Sequence, residues 1–270
     1  RLYIFHGLYD GNSFNLMNEY ASCVHLAKKP PTRPGFVDVL TYGPLRNFDF
    51  CKPFWTKHLE HWQRCEMPKI SPLASNNAEI VSLSRRLTIK RLDDLRRQQN
   101  VTLQTIVLSI WTIVLQTHVS KPLTTGIIVA GRSLDVPNIE NTMGPLFNTV
   151  PFFNLTLNGL SWEALVQKCH KFNTDVLSFQ HVPLRDIQKW CSSGQSLFNN
   201  LFAFQLEKSE PNLDAVPWTI IDNKATSLDY PLAFEATRTK DGHLSLYLVA
   251  HPDIAEEDTL KQMVDHFEQV

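Results

Sequence analysis

The stretch Phe5-His-Gly-Leu-Tyr-Asp10-Gly11 sets a histidine and a carboxylate four residues apart and closes on a glycine. Histidine titrates near neutrality, so His6 can take a proton from an attacking amine or hydroxyl. Ionised Asp10 only accepts hydrogen bonds, and from a turn it can face His6 or be drawn to an arginine elsewhere. Gly11 carries no Cβ, which lets a long thin substrate pass close to the backbone. The same residues also fit an ordinary turn with a satisfied histidine, a capping aspartate and a glycine at a helix start. Elsewhere the chemistry is thinner. His58 and His61 are three apart, but no third ligand accompanies them, so no metal is expected. His181 is given a structural role, and His25, His118, His170, His243, His251 and His266 are expected on the surface or at helix ends. Ser133 and Cys191 lack the base and orienter that a nucleophile needs.

The elements that would position the motif follow from periodicity. Residues 1–5 read as the end of a strand. Apolar residues at Phe14, Met17, Tyr20, Ala21 and Val24 have helical spacing, with Asn12 or Ser13 as N-cap. "KKPPTRPG" then breaks regular structure. Residues 52–65 predict a second amphipathic helix, and the polar connection after it places a boundary near residue 75. Beyond it come strand "EIVSLSRRL", a helix capped by Thr88, the apolar helix 102–118 and strand "LTTGIIVAG". "GPLFNTVPFFNLTL" reads as extended, Ser161 caps a helix running to Gln180, and "LFNNLFAFQLE" reads as a strand. "YPLAFEATR" and "HLSLYLVAH" flank "TKDG", a hairpin signal, and "EEDTLKQMVDHFEQV" closes as a helix with acids in its first turn. The plan is α+β, with helices on one face of a largely antiparallel sheet.

Composition narrows the function classes. With 270 residues, 43 % of them hydrophobic, the chain can bury a substantial core. Its 26 basic and 27 acidic residues form no basic stripe, which speaks against nucleic acid as a partner. Five scattered cysteines without CxxC spacing speak against a disulfide framework and suit a cytoplasmic compartment. Val101–Val119 is long enough to cross a membrane, but Gln104, Gln116 and several hydroxyls interrupt it, so a buried core helix is expected. No glycine-rich phosphate loop occurs in the sequence.

Set beside later segments, "HGLYDGNS" resembles the HHxxxDG motif of condensation domains from nonribosomal peptide synthetases, within the wider HxxxD acyltransferase superfamily. "FVDVL" at 36–40 is similar to the short aromatic-Asp segment after the motif helix. "GRSLDVPNIENTMGPLFNTVPFF" at 131–153 resembles the family's "GR…GxFxNTxPxR" segment, "FQHVPLRDI" its "HQxxPxxxL" segment, and "SLFNNLFAFQ" its "PLFxxxFxFQ" segment. Two positions depart from the pattern: Phe5 stands for the first motif histidine, and Phe153 for the arginine ending "NTxPxR".

The resemblance implies a chloramphenicol-acetyltransferase-like, two-lobed condensation fold. Residues 1–75 would be the C-terminal part of the N-terminal lobe, 76–270 would be the C-terminal lobe, and the rest of the N-terminal lobe would be missing. It implies amide formation between a donor acyl thioester and an acceptor aminoacyl thioester. Both would arrive on phosphopantetheine arms of upstream and downstream carrier domains, with an adenylation domain in the same synthetase. No cofactor is bound directly, and neither a membrane nor nucleic acid takes part. His6 is the implied catalytic residue. Asp10 and Gly11 build the motif, and Asp10 is expected to pair with an arginine of the first lobe, upstream of Arg1. Ser13, Ser133, Gly144 and Asn148 are implied tunnel residues. The forms "GLYDG" and "GPLFNTVP" point to a fungal synthetase, with a siderophore-type product as one expectation. A terminal domain that releases product by cyclisation, an epimerising relative and a silent carrier-docking module are the alternatives.

Overall fold

The computed structural model describes residues 4–42, 47–65, 67–68, 70, 80–119, 121–154, 159–207 and 229–270. The boundary expected near residue 75 lies outside them.

Helices α1 (Gly11–His25), α2 (Phe36–Leu40) and α3 (Lys52–His58) precede strand β1 (Val81–Thr88). Then come α4 (Lys90–Gln98), α5 (Leu103–His118), β2 (Leu123–Val129), β3 (Asn148–Asn154), α6 (Trp162–Asp175) and α7 (Leu184–Cys191). Strands β4 (Asn200–Leu206), β5 (Leu232–Arg238) and β6 (His243–Ala250) lead to the closing helix α8 (Glu257–Gln269). The six strands form one sheet in the order β1-β6-β5-β4-β2-β3. Pairs β1–β6, β5–β6 and β2–β3 are antiparallel, and β2–β4 and β4–β5 are parallel. The sheet is therefore mixed, with its parallel pairs in the middle.

Local rules explain the elements that match expectation. The Thr102 hydroxyl accepts from the Thr105 N–H and starts α5, and Ser161 does the same for Ala164 and α6. Nearly all of α5 from Leu103 to Leu115 is buried, because it runs through the centre of the core. Among the described residues no single helix is long and apolar enough to cross a membrane. The "TKDG" turn joins β5 and β6 as an antiparallel hairpin.

Four boundaries differ from the sequence expectation. Thr88 does not cap α4. It pairs with His243 as the last residue of β1, and Ile89 precedes the helix without a side-chain cap. The helix expected over 52–65 stops at His58. Beyond it the Trp62 indole donates to the Leu197 carbonyl at 3.0 Å, which draws the chain onto the later half. Helix α6 ends at Asp175 and tightens into a 3-10 turn, Val176–Ser178, so Gln180 is released from the helix. Fourth, Ser13 and Asn12 do not cap α1. Asp10 does, and its extended backbone (φ −116°, ψ 175°) aims the carboxylate at the helix N-terminus.

Candidate active site

The motif segment changes direction twice in a few residues. His6–Leu8 makes a single 3-10 turn, with the Leu8 N–H donating to the Phe5 carbonyl at 3.0 Å. Asp10 then ends the turn and begins α1. Its Oδ1 accepts from the Ser13 N–H and the Ser13 hydroxyl, both at 2.7 Å. Gly11 is exposed, and a Cβ there would meet open space.

Freed from capping, Ser13 reaches across the fold. Its hydroxyl lies 2.9 Å from the Gly144 carbonyl and accepts from the Gly144 N–H at 2.9 Å. Gly144 has a positive φ of 147°, and a Cβ would run into the Phe36 ring of α2. The segment 131–146 is thereby held against both α1 and α2.

Arg132 is the centre of this junction. Its guanidinium donates to Asp10 Oδ2 at 2.7 Å and Oδ1 at 2.9 Å, and to the carbonyls of Ile139 and Thr142, both at 2.9 Å. The Leu146 N–H adds a longer contact to Asp10 Oδ2 at 3.3 Å. Arg132 and Asp10 side chains are 10 % and 7 % exposed, so the pair is largely removed from water. Burial pushes the Asp10 carboxyl up, but the Ser13 donors and the Arg132 guanidinium outweigh it and hold the group below its ordinary value. The arginine expected upstream in the first lobe is thus found 122 residues downstream, at the start of the segment "GRSLDVPN". Nothing local in the sequence gives such a pairing. The available signal was an arginine beside Gly131, whose φ of +66° and tight approach to the Leu146 carbonyl mark a constrained loop.

The other tunnel candidates occupy different surroundings. Asn148 opens β3, and its Nδ2 donates to the carbonyls of Gln180 and Val182, both at 2.7 Å, while its Oδ1 accepts from the Thr149 N–H. Both amide hydrogens are therefore engaged by backbone. The Ser133 hydroxyl accepts from Gln180 Nε2. Ser133 also lines a cavity of about 350 Å³ with Phe48, Cys51, Phe179, His181 and Val182, which Ser13, Gly144 and Asn148 do not reach. Burial moves His181 down from its ordinary value and pushes the Cys51 thiol up to about 11, so neither is charged near neutrality. Phe153, at the position of the family arginine, is a core residue 5 % exposed. Its N–H donates to His58 Nε2 at 3.2 Å, which makes His58 a half-buried acceptor at a strand edge. Among the described residues Cys23, Cys51, Cys169 and Cys191 form no disulfide.

A model described as "Condensation domain" matches residues 41–270, most of the chain. The chain belongs to the condensation-domain family. The motif turn and α1 precede that matched span, but relatives align across them. This condensation domain is 41 % identical over 268 residues to nonribosomal peptide synthetase 2 of Gibberella zeae, covering 99 % of this chain and 6 % of that one. It is also 41 % identical over 269 residues to nonribosomal peptide synthetase SIDC of Beauveria bassiana, covering 100 % and 6 %. The domain therefore spans about 6 % of the length of these fungal synthetases. Among solved structures it resembles the condensation domain of the Monacolin K polyketide synthase MokA, with a TM-score of 0.77 and 14 % identity over 98 % of this chain and 68 % of that one. A four-domain nonribosomal peptide synthetase, holo-AB3403, gives a TM-score of 0.76 and 16 % identity over 97 % and 22 %. At those identities the likeness is one of fold.

Proposed function

We propose that this condensation domain forms an amide bond between a donor acyl or peptidyl thioester and an acceptor aminoacyl thioester, each held on the phosphopantetheine arm of a carrier domain. The observation that carries the reading is the buried Asp10–Arg132 pair, which fastens the motif turn to the segment leading into "GPLFNT". Two segments of the motif set, far apart in sequence, are thereby built into one structure.

In this reading the acceptor amine nitrogen attacks the donor carbonyl carbon. The C–N bond forms, the C–S bond breaks, and the donor thiol leaves on its arm. His6 takes or orients the proton that the amine loses, and the departing thiolate is protonated in turn. Thioester aminolysis is already downhill, so holding both arms in line supplies much of the acceleration. Asp10 and Arg132 act as scaffold: their charges are spent on each other and on backbone. Exposed Gly11 leaves room for an arm, and Ser133, on the cavity wall, is the tunnel candidate with space beside it. The partners are carrier domains on either side and the adenylation domain that loads one of them.

The test uses the parent synthetase, with donor and acceptor carriers loaded and the acceptor-bound product followed by mass. His6→Ala is expected to lower transfer by about 10²-fold or more, the range of a lost proton-transfer group. Unchanged transfer would sink the catalytic assignment. Carrier binding without any transfer by the unmodified synthetase would instead mark a docking module.

A further inference from the structure

Gln180 lies outside the motif turn, yet its contacts lead back to it. Its side chain is 2 % exposed, and Nε2 donates both to the Ser133 hydroxyl and to the Leu177 carbonyl, the latter at 2.9 Å. Its own carbonyl accepts from Asn148 Nδ2 at 2.7 Å. Ser133 is bonded covalently to Arg132, which holds Asp10. Asn148 is two residues from Leu146, whose N–H also points at Asp10. The contacts close into a ring: Asp10, Arg132, Ser133, Gln180, Asn148, Leu146 and Asp10 again. Gln180 is the member that joins the two arms of this ring on the side away from α1. Its amide, unlike a carboxylate, can donate to Ser133 and to the Leu177 carbonyl together.

We infer that Gln180 is a positioning residue for the motif turn, acting through Ser133 to fix the 131–135 loop and with it Arg132 and Asp10. This rests on the amide-forming reading above. If Gln180 is cut back, the loop keeps its covalent path but loses the strut that sets where Arg132 starts. The motif turn then samples displaced positions, and a displacement near 1 Å at a reacting group costs up to about 10²-fold in rate.

The experiment measures acceptor-bound product in the parent synthetase, with kcat and the KM for the loaded acceptor carrier read separately. Gln180→Leu is expected to lower kcat about tenfold or more and to leave that KM within about twofold, because Gln180 is buried and does not itself line the cavity. Ser133→Ala, at an exposed position that tolerates truncation, is expected to reproduce most of that loss, and Ser133→Thr, which keeps the hydroxyl, to restore it. The double variant Gln180→Leu/Ser133→Ala is expected to fall within about twofold of Gln180→Leu alone, since both changes remove one link. A residue that merely supports stability would lower the melting temperature and spare kcat. Should Gln180→Leu fail to fold, the Ser133 pair decides: a kcat loss at unchanged KM supports the strut, and a raised KM, the mark of a lost arm contact, overturns it. The inference is overturned if Ser133→Ala keeps full kcat, or if the two losses multiply. Failure of the underlying reading shows differently, as unchanged transfer by His6→Ala.

Discussion

Two anchors join residues 4–65 to the sheet-bearing remainder, and they are built from opposite chemistry. At the first, α1 buries only Ser13 and Asn18, and its junction with the 131–146 segment is a charged pair, a hydroxyl and backbone groups. The apolar support there is small: Val39, Ile139 and Leu146, with Phe36, Leu134 and Val136 against them. At the second, α3 sends Trp55, with no exposed surface, into the main core. Phe54 stacks on Phe179 at 4.1 Å, and the His58 ring lies 4.9 Å from that of Phe172. The polar anchor fixes one geometry, because hydrogen bonds are directional. The apolar anchor supplies free energy, because burial is not. Orientation at the motif and stability of the attachment are thus separated in space.

Breaking each anchor is expected to give different readouts. Trp55→Ala removes a fully buried indole from the main core and is expected to destabilise the domain globally by about 4 kcal/mol, measured by denaturant unfolding. Arg132→Met leaves Asp10 buried without its cation, on the order of 3 kcal/mol. That loss is expected to surface as faster amide exchange confined to α1 and the 131–146 segment, since the main core is untouched. Global unfolding at the same midpoint as Trp55→Ala, with no local phase, would erase the distinction between the anchors.

His58 sharpens the comparison by giving the apolar anchor a pH limit. Burial is the main reason its value falls to about 4, with the nearby Lys168 charge adding to it and Asp175 opposing. An imidazole whose Nε2 accepts from Phe153 must be neutral at that nitrogen. The unfolded chain takes up a proton near pH 6.5 and the folded one only near pH 4, so stability is unaffected above 6.5 and falls as pH drops through that window. The whole loss is about 3 kcal/mol. His58→Gln retains an acceptor without the titration, and unfolding midpoints between pH 6.5 and 4 are expected to flatten in that variant. The smallest effect belongs to Gly144→Ala. Its positive φ and the Phe36 ring in the Cβ position predict about 2 kcal/mol, again read locally by amide exchange over α2.

The two anchors also differ in how far they could be read from the sequence. Helix α5 with its Thr102 cap, the Ser161 cap and the Asp-Gly hairpin all follow from residues within a few positions of one another. The segment set around His6 was legible as a resemblance, motif by motif. The partner of Asp10 was not, because a buried ion pair depends on which loops the fold brings together, and 122 residues separate its members. The mixed centre of the sheet escaped for a similar reason. Pairings β2–β4 and β4–β5 are set by how the chain crosses over, whereas alternation within a strand reports only which face is buried. The cap of α1 stays open between neighbours in the sequence: Asp10 and Ser13 are both good caps, and only the tertiary bond between Ser13 and Gly144 divides their roles.

Arg132 has a consequence for the hydration of the motif junction. Three main-chain carbonyls, of Ile139, Thr142 and Gly144, turn inward toward its guanidinium, the last at 3.3 Å. In an exposed loop such oxygens would be served by water that exchanges continually. Here one planar cation takes the place of several solvent molecules, and it is tethered to the chain it solvates. A lysine would bring the charge without the fan of donors. The junction beside the motif turn therefore carries its own solvent, one that is covalently tied to the loop it solvates.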